Sequence, residues 1–176
     1  KMVAPAIETG LYTGRLIGTE DIGSLESYSL GGPAYANADS YNYIVNYSEA
    51  LFLKAEATFI TAGAAAAQPV YTSAVKSHMS KMGIADADAN TYLASRGALT
   101  SGNALQLIIE EKFVANFLSQ ENYTDWRRTG FPALTKVKHA LSEIPRRVLY
   151  SQSEIVANPQ PQQAAKLTDR VWWDAQ

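Results

Sequence analysis

Apolar and polar positions follow two regimes along this chain. From Lys1 to about Val45 no helical period holds. Gly10, Gly14, Gly18, Gly23, Gly31, Gly32, Pro5 and Pro33 break every run, with Tyr12, Tyr28, Tyr35, Tyr41 and Tyr43 set between them. Such a segment reads as loop with short strands. A structureless stretch of about forty residues is implausible inside an isolated compact domain, so residues 1–45 are expected to wrap a larger parent body.

The second regime is helical. Tyr47 to Ala62 is rich in helix formers, with Asn46 or Ser48 as the cap, Glu49 in the first turn and Gly63 as the stop. After an alanine-rich link, Pro69 suits the first turn of a second helix, from about Val70 to Lys81, closed by Met82-Gly83. Val70, Ala74, Val75, Met79 and Met82 share one face of it. Small residues at Ala55, Ala62 and Ala74 would let the two helices cross closely, as in one tetratricopeptide-like hairpin. No fixed period recurs, and a single pair leaves a face to be covered by something else.

Further on, a short helix is expected over Ala89–Ser95. Asn103 should cap a strong helix from Ala104 to about Ser119, with Leu105, Ile108, Ile109, Phe113 and Phe117 on its core stripe and Glu110, Glu111 and Lys112 largely opposite. Asn122–Arg128 adds one or two turns before Gly130-Phe131-Pro132. Arg147–Tyr150 is the best strand candidate. The tail, with Pro159, Pro161 and the glutamines of 160–163, reads as extended or weakly helical as far as Trp172-Trp173. Two adjacent tryptophans call for burial.

Composition narrows the function classes. The 176 residues are 47% apolar and 18% charged, which excludes a disordered chain. A net charge of −2 lacks the electrostatic footprint of a nucleic-acid binder. No apolar run approaches the ~20 residues that span a bilayer. The absence of cysteine excludes disulfides, thiolate metal sites and cysteine nucleophiles. The first residues carry neither an apolar signal core nor a lipidation signal, and the chain reads as the C-terminal part of a longer protein.

The chemistry-bearing residues are few. Asp86-Ala87-Asp88-Ala89-Asn90 starts like a calcium loop but has Thr91 and Gly97 where Gly and a bidentate Glu belong. Glu110 and Glu111 are helix neighbours that point about 100° apart, whereas paired glycosidase carboxylates face one bond, so a solvated or Arg-paired face is expected. His78 and His139 are isolated, and no zincin, nucleophile-elbow, phosphate-loop or dinucleotide motif occurs. No catalytic residue, metal site or cofactor is expected. Two Arg-Arg pairs stand out, in Asp125-Trp126-Arg127-Arg128-Thr129-Gly130 and in Ile144-Pro145-Arg146-Arg147. Each sits between aromatics and Gly or Pro, where a planar five-donor guanidinium needs assigned partners. Three readings stay open: rivets that pin loops to the preceding helix, an anion or nucleic-acid clamp, or a partner-protein surface. The rivet reading makes Trp126, Arg127, Arg128, Arg146 and Arg147 structural anchors.

Four segments in order complete the reading: Tyr47-Ser48-Glu49-Ala50-Leu51-Phe52-Leu53-Lys54-Ala55-Glu56-Ala57, Ile108-Ile109-Glu110-Glu111-Lys112-Phe113-Val114-Ala115, Asp125 to Pro132, and Ile144 to Glu154 with Asn158. Together they resemble the C-terminal third of the SusD/RagB family of outer-membrane nutrient-binding lipoproteins, in its SusD-like branch. Ser151 departs from the proline usual after the tyrosine. The resemblance implies a mainly α fold of tetratricopeptide-like helix pairs with long irregular loops, of the α-α superhelix type. Here it would be a fragment of a larger domain, with residues 1–45 as a loop segment of the parent fold and 46–176 as its C-terminal helical portion.

It also implies a protein lipid-anchored at the cell surface of Bacteroidetes-type bacteria through an N-terminus outside this chain. Such a protein captures glycans or peptides, serves a TonB-dependent (SusC-like) transporter, and is not an enzyme. The family's ligand residues do not map onto this chain. Because sugar C–H faces stack on aromatics, Tyr12, Tyr28 and Tyr35 are the ligand-binding candidates, against simple packing on the parent domain. The alternative functions are a tetratricopeptide-like protein-interaction scaffold and a glycan hydrolase using Glu110 or Glu111.

Overall fold

The computed structural model describes residues 2–18, 23–160 and 166–174. The fold is mainly α-helical. Two residue pairs, β1 (Val3–Ala4) and β2 (Leu30–Gly31), make an antiparallel ladder, and a 3₁₀ turn covers Leu25–Ser27. Six helices follow among the described residues: α1 (Pro33–Ala36), α2 (Tyr47–Lys81), α3 (Asp86–Arg96), α4 (Ala104–Ala115), α5 (Glu121–Thr129) and α6 (Gln152–Ala157).

By length and mean hydropathy alone α2 would qualify as a membrane span. It is two arms. Gly63 sits at φ 83°, ψ 177°, a region essentially reserved for glycine, and interrupts the helix between residues 47–62 and 64–81. Neither arm reaches the ~20 residues of a span. The arms fold back on each other, so that Tyr47 and Leu51 border the same cavity as Ser73, Ser77 and Ser80. Asn46 caps the first arm by accepting from the Glu49 N–H at 2.9 Å. The second arm starts earlier than its proline suggests. The link before Pro69 is helical, as its alanines favour, and Pro69 lies inside the helix rather than in its first turn.

The core lies between the α2 arms and α4. Phe52, Ala55, Ala67, Tyr71, Ala74 and Val75 meet Leu99, Ala104, Leu107, Ile108 and Ala115 there. Ala55 and Ala74 are fully buried, whereas Ala62, expected at the crossing, is exposed beside the Gly63 turn. Gln68 ties the loop before α4 to α2 by accepting from the Leu99 N–H at 2.7 Å.

Helix α4 differs from its expected pattern in three ways. It ends at Ala115 rather than near Ser119, and Leu118 turns to φ 67° just beyond. The Asn103 side chain faces backwards, accepting from the Thr100 N–H at 2.6 Å, so it gives the helix no side-chain cap. Glu111 and Lys112, expected opposite the core stripe, are buried, while Leu105, Phe113 and Phe117 are only half-buried. The cause is electrostatic. Glu111 is held by Arg96 at 2.8 Å and by the Tyr92 hydroxyl at 2.7 Å, and Lys112 meets Asp125 at 2.8 Å. Paired charges can be buried where single ones cannot.

The C-terminal third corrects two further expectations. Arg147–Tyr150 is not a strand: the Arg146 and Arg147 N–H groups both donate to the Leu167 carbonyl, at 2.8 and 3.2 Å, instead of to a ladder. Helix α6 was not anticipated. Ser151 caps it, its hydroxyl accepting from the Glu154 N–H at 3.2 Å. Of the tail tryptophans, Trp173 is half-buried, whereas Trp172 is 91% exposed. Most of the glutamine-rich stretch lies outside the described residues.

Candidate functional site

Three of the four paired arginine side chains have assigned partners. Arg128, in the last turn of α5, grips the buried Glu56 of α2 with both terminal nitrogens and Asp125 at 2.8 Å. Asp125 also holds Lys112, so α2, α4 and α5 share one network of four alternating charges. Arg127 and Arg146 clasp each other through the backbone: each guanidinium donates to the other's carbonyl, at 3.0 and 2.8 Å. A ladder of planar groups runs through them. Arg146 lies 4.6 Å over Trp126, Trp126 stacks on Tyr123 at 5.9 Å, and Arg127 lies 4.4 Å over Tyr123 and 4.5 Å over Trp173. These distances suit cation–π attraction.

Arg146 further binds Asp174 through Nε at 2.6 Å and through Nη2, and Arg170 reaches the same carboxylate at 3.1 Å. The hydrogen bonds from Arg146, then Arg170, outweigh burial and hold the Asp174 carboxyl below its usual range. Arg147 is half-buried and its Nε has no hydrogen-bond partner among the described residues. Carboxylates, carbonyls and rings engage Arg127, Arg128 and Arg146, and the buried Arg127 Nε, like that of Arg147, has no hydrogen-bond partner among the described residues.

Glu110 and Glu111 likewise belong to an internal network. Arg96 bridges them at 2.7 and 2.8 Å. Burial, with Glu111 close by, pushes the Tyr71 phenol up to about 12. Asp86 and its neighbours form the first turn of α3, with Asp86 paired to Lys76 at 2.9 Å. Among the described residues no three metal-ligating side chains converge.

An open cleft of about 430 Å³ lies where the 35–46 segment meets the start of α2 and the end of α4. Tyr35, Tyr41, Asn42 and Tyr43 line it together with Glu49, Asn116, Phe117 and Glu121. Tyr35 is pinned edge-on against Phe117 at 5.4 Å, and its phenol is raised by burial and by the neighbouring Tyr43. Lys81 sits 3.6 Å over the Tyr43 ring. Tyr41, 6.1 Å from Tyr43 and tilted 53° to it, is 80% exposed. Asn116 donates to Glu49 at 2.9 Å, and its side-chain amide oxygen is buried without a hydrogen-bond partner among the described residues. A volume within the ~300–1,000 Å³ of small-molecule sites, with aromatic faces alongside amides and carboxylates, suits a polar ligand with flat apolar faces.

Of the three tyrosines singled out from sequence, only Tyr35 borders this cleft. Tyr12 stands 68% exposed elsewhere, and Tyr28 is half-buried beside Gly23. Tyr41, Tyr43, Lys81 and Asn116 were missed. The tyrosine–asparagine–tyrosine run at 41–43, immediately before the Asn46 cap, was the available signal for the first two. Nothing in the local sequence tells that Lys81 and Asn116 meet it.

Comparison with known proteins gives one family. The profile described as "Starch-binding associating with outer membrane", SusD-like, matches residues 4–151. No curated protein matches the chain. Among solved structures, a chitin-binding protein superposes with a TM-score of 0.72 at 25% identity, over 88% of this chain and 38% of its own. The present chain thus spans well under half of that relative. With the profile covering most of its length and the helical fold in agreement, the chain belongs to the SusD-like family.

Proposed function

We propose that the protein to which this chain belongs captures glycans at the outer-membrane surface and passes them to a TonB-dependent transporter, without chemistry of its own. The observation that carries the reading is the family match over residues 4–151. The chitin-binding neighbour supports the glycan over the peptide alternative. The acidic residues a hydrolase would need, Glu110 and Glu111, are instead locked to Arg96. In the same reading the protein is lipid-anchored, residues 1–45 belong to the parent fold's loops, and Tyr12, Tyr28 and Tyr35 remain candidate contacts.

Isothermal titration of the full-length protein with chitotetraose and maltotetraose tests the binding claim. Saturable heat with at least one is expected. Silence with both, together with no transporter recovered when the protein is captured from outer membranes, would leave the scaffold alternative standing.

A further inference from the structure

We infer that the Tyr35–Tyr41–Tyr43 cleft is a sugar subsite selective for neutral over acidic glycans, an inference that rests on the glycan-binding reading above. Tyr41 supplies the platform. An aromatic ring 80% exposed at the rim of a cleft costs apolar hydration unless something covers it, and its nearest ring is 6.1 Å away and tilted, not stacked upon it. The adjacent Tyr43 is fixed by Lys81 above one face. Tyr35, wedged against Phe117, closes the floor.

Other lining residues supply polar contacts. Glu49 uses one carboxylate oxygen on Asn116, and the Asn116 side-chain amide oxygen is buried without a hydrogen-bond partner among the described residues. A sugar hydroxyl, able to donate and accept, or an acetamido N–H suits such a lining. Charge sets the selectivity. Glu49 and Glu121 both border the cleft, and its one lysine, Lys81, directs its ammonium at the Tyr43 ring. A uronate or sulfated unit would therefore meet two carboxylates and only one lysine among the residues that line the cleft.

The test uses the full-length protein, its Tyr41→Ala and Tyr43→Ala variants, and three probes: chitotetraose, maltotetraose and tetragalacturonate. The wild type should bind a neutral probe at least tenfold more tightly than tetragalacturonate. Tyr41→Ala should weaken the neutral probe about tenfold, the scale of one lost stacking contact, with an unchanged melting temperature. Glu121→Gln, on the exposed rim, should narrow the gap to the uronate. Neutral-glycan binding undiminished in folded Tyr41→Ala and Tyr43→Ala would overturn the subsite while leaving the capture function intact. Preference for tetragalacturonate would overturn the selectivity. Absence of binding by the wild type to any probe would overturn the subsite and, together with no transporter recovered from outer membranes, the capture function as well.

Discussion

Lys112 and Asp125 meet at 2.8 Å with side chains only 3% and 8% exposed, so neither charge can turn to water if the other is lost. Removing one partner of a buried pair is costly because the survivor keeps its desolvation penalty without compensation. Asp125→Ala should therefore destabilise the fold by about 3–5 kcal/mol in urea titrations. The double variant Lys112→Met, Asp125→Leu should recover much of that loss; equal losses in both would show that the charges are not coupled. A second single-residue effect concerns His78, buried, with no hydrogen-bond partner for Nδ1. Burial first, and then the charge of Lys81, lowers its pKa. Below about pH 6.5 the unfolded chain takes up a proton that the folded one resists, so this contribution to stability is full above that value and falls as the pH drops toward the folded pKa. The urea midpoint should decline between about pH 7 and 5, and His78→Gln should flatten that decline.

At the scale of elements, Gly63 decides whether residues 47–81 are a hairpin or a rod. Its φ of +83° is unfavourable for any residue with a Cβ, although a Cβ there would meet open space. Gly63→Ala should thus cost only backbone strain, on the order of 1–3 kcal/mol, seen as a lowered urea midpoint with native circular dichroism. An unchanged midpoint would mean that the turn tolerates an L-residue. The same glycine shows what sequence can and cannot tell. Its position after Tyr47–Ala62, and the glycine at 130 after α5, are local signals, and both helix ends were readable from them. Glu111 and Lys112 were not readable as core, because their burial depends on Arg96, Tyr92 and Asp125, which are remote in sequence or on another helix. Arg147–Tyr150 misled for a related reason. Its β-branched and aromatic residues suit a strand, but no partner strand is offered, and Leu167 takes the N–H groups instead. Asn46 capped as expected, whereas Asn103 found the Thr100 N–H closer than its own helix. For the cleft, Tyr35 came from composition, while the wall formed by Asn116 and Glu49 joins residues 67 positions apart, which no local pattern encodes.

Over the whole molecule, exposed apolar side chains occur on the N-terminal segment and on the 131–150 loop, and also at Ile60, Leu118, Val156 and Trp172. Ile7, Leu11, Leu16, Ile17, Leu141 and Val148 are all more than half exposed. Because the chain aligns with only 38% of the chitin-binding structure, tests of binding belong to the full-length protein. The C-terminus is secured differently from these loops. Trp173 lies over Arg127, Asp174 is bound by Arg146 and Arg170, and the Leu167 carbonyl receives two N–H groups from the loop after α5. Those attachments all lie downstream of Glu154, which is exposed on α6. A single cut there by a glutamate-specific protease should leave the two pieces together through gel filtration, separating only in denaturant. Asp174→Ala should let the short piece escape. The tail would then behave as a peptide docked in its own receptor: the covalent bond sets its local concentration, and the arginine–tryptophan ladder holds it in place.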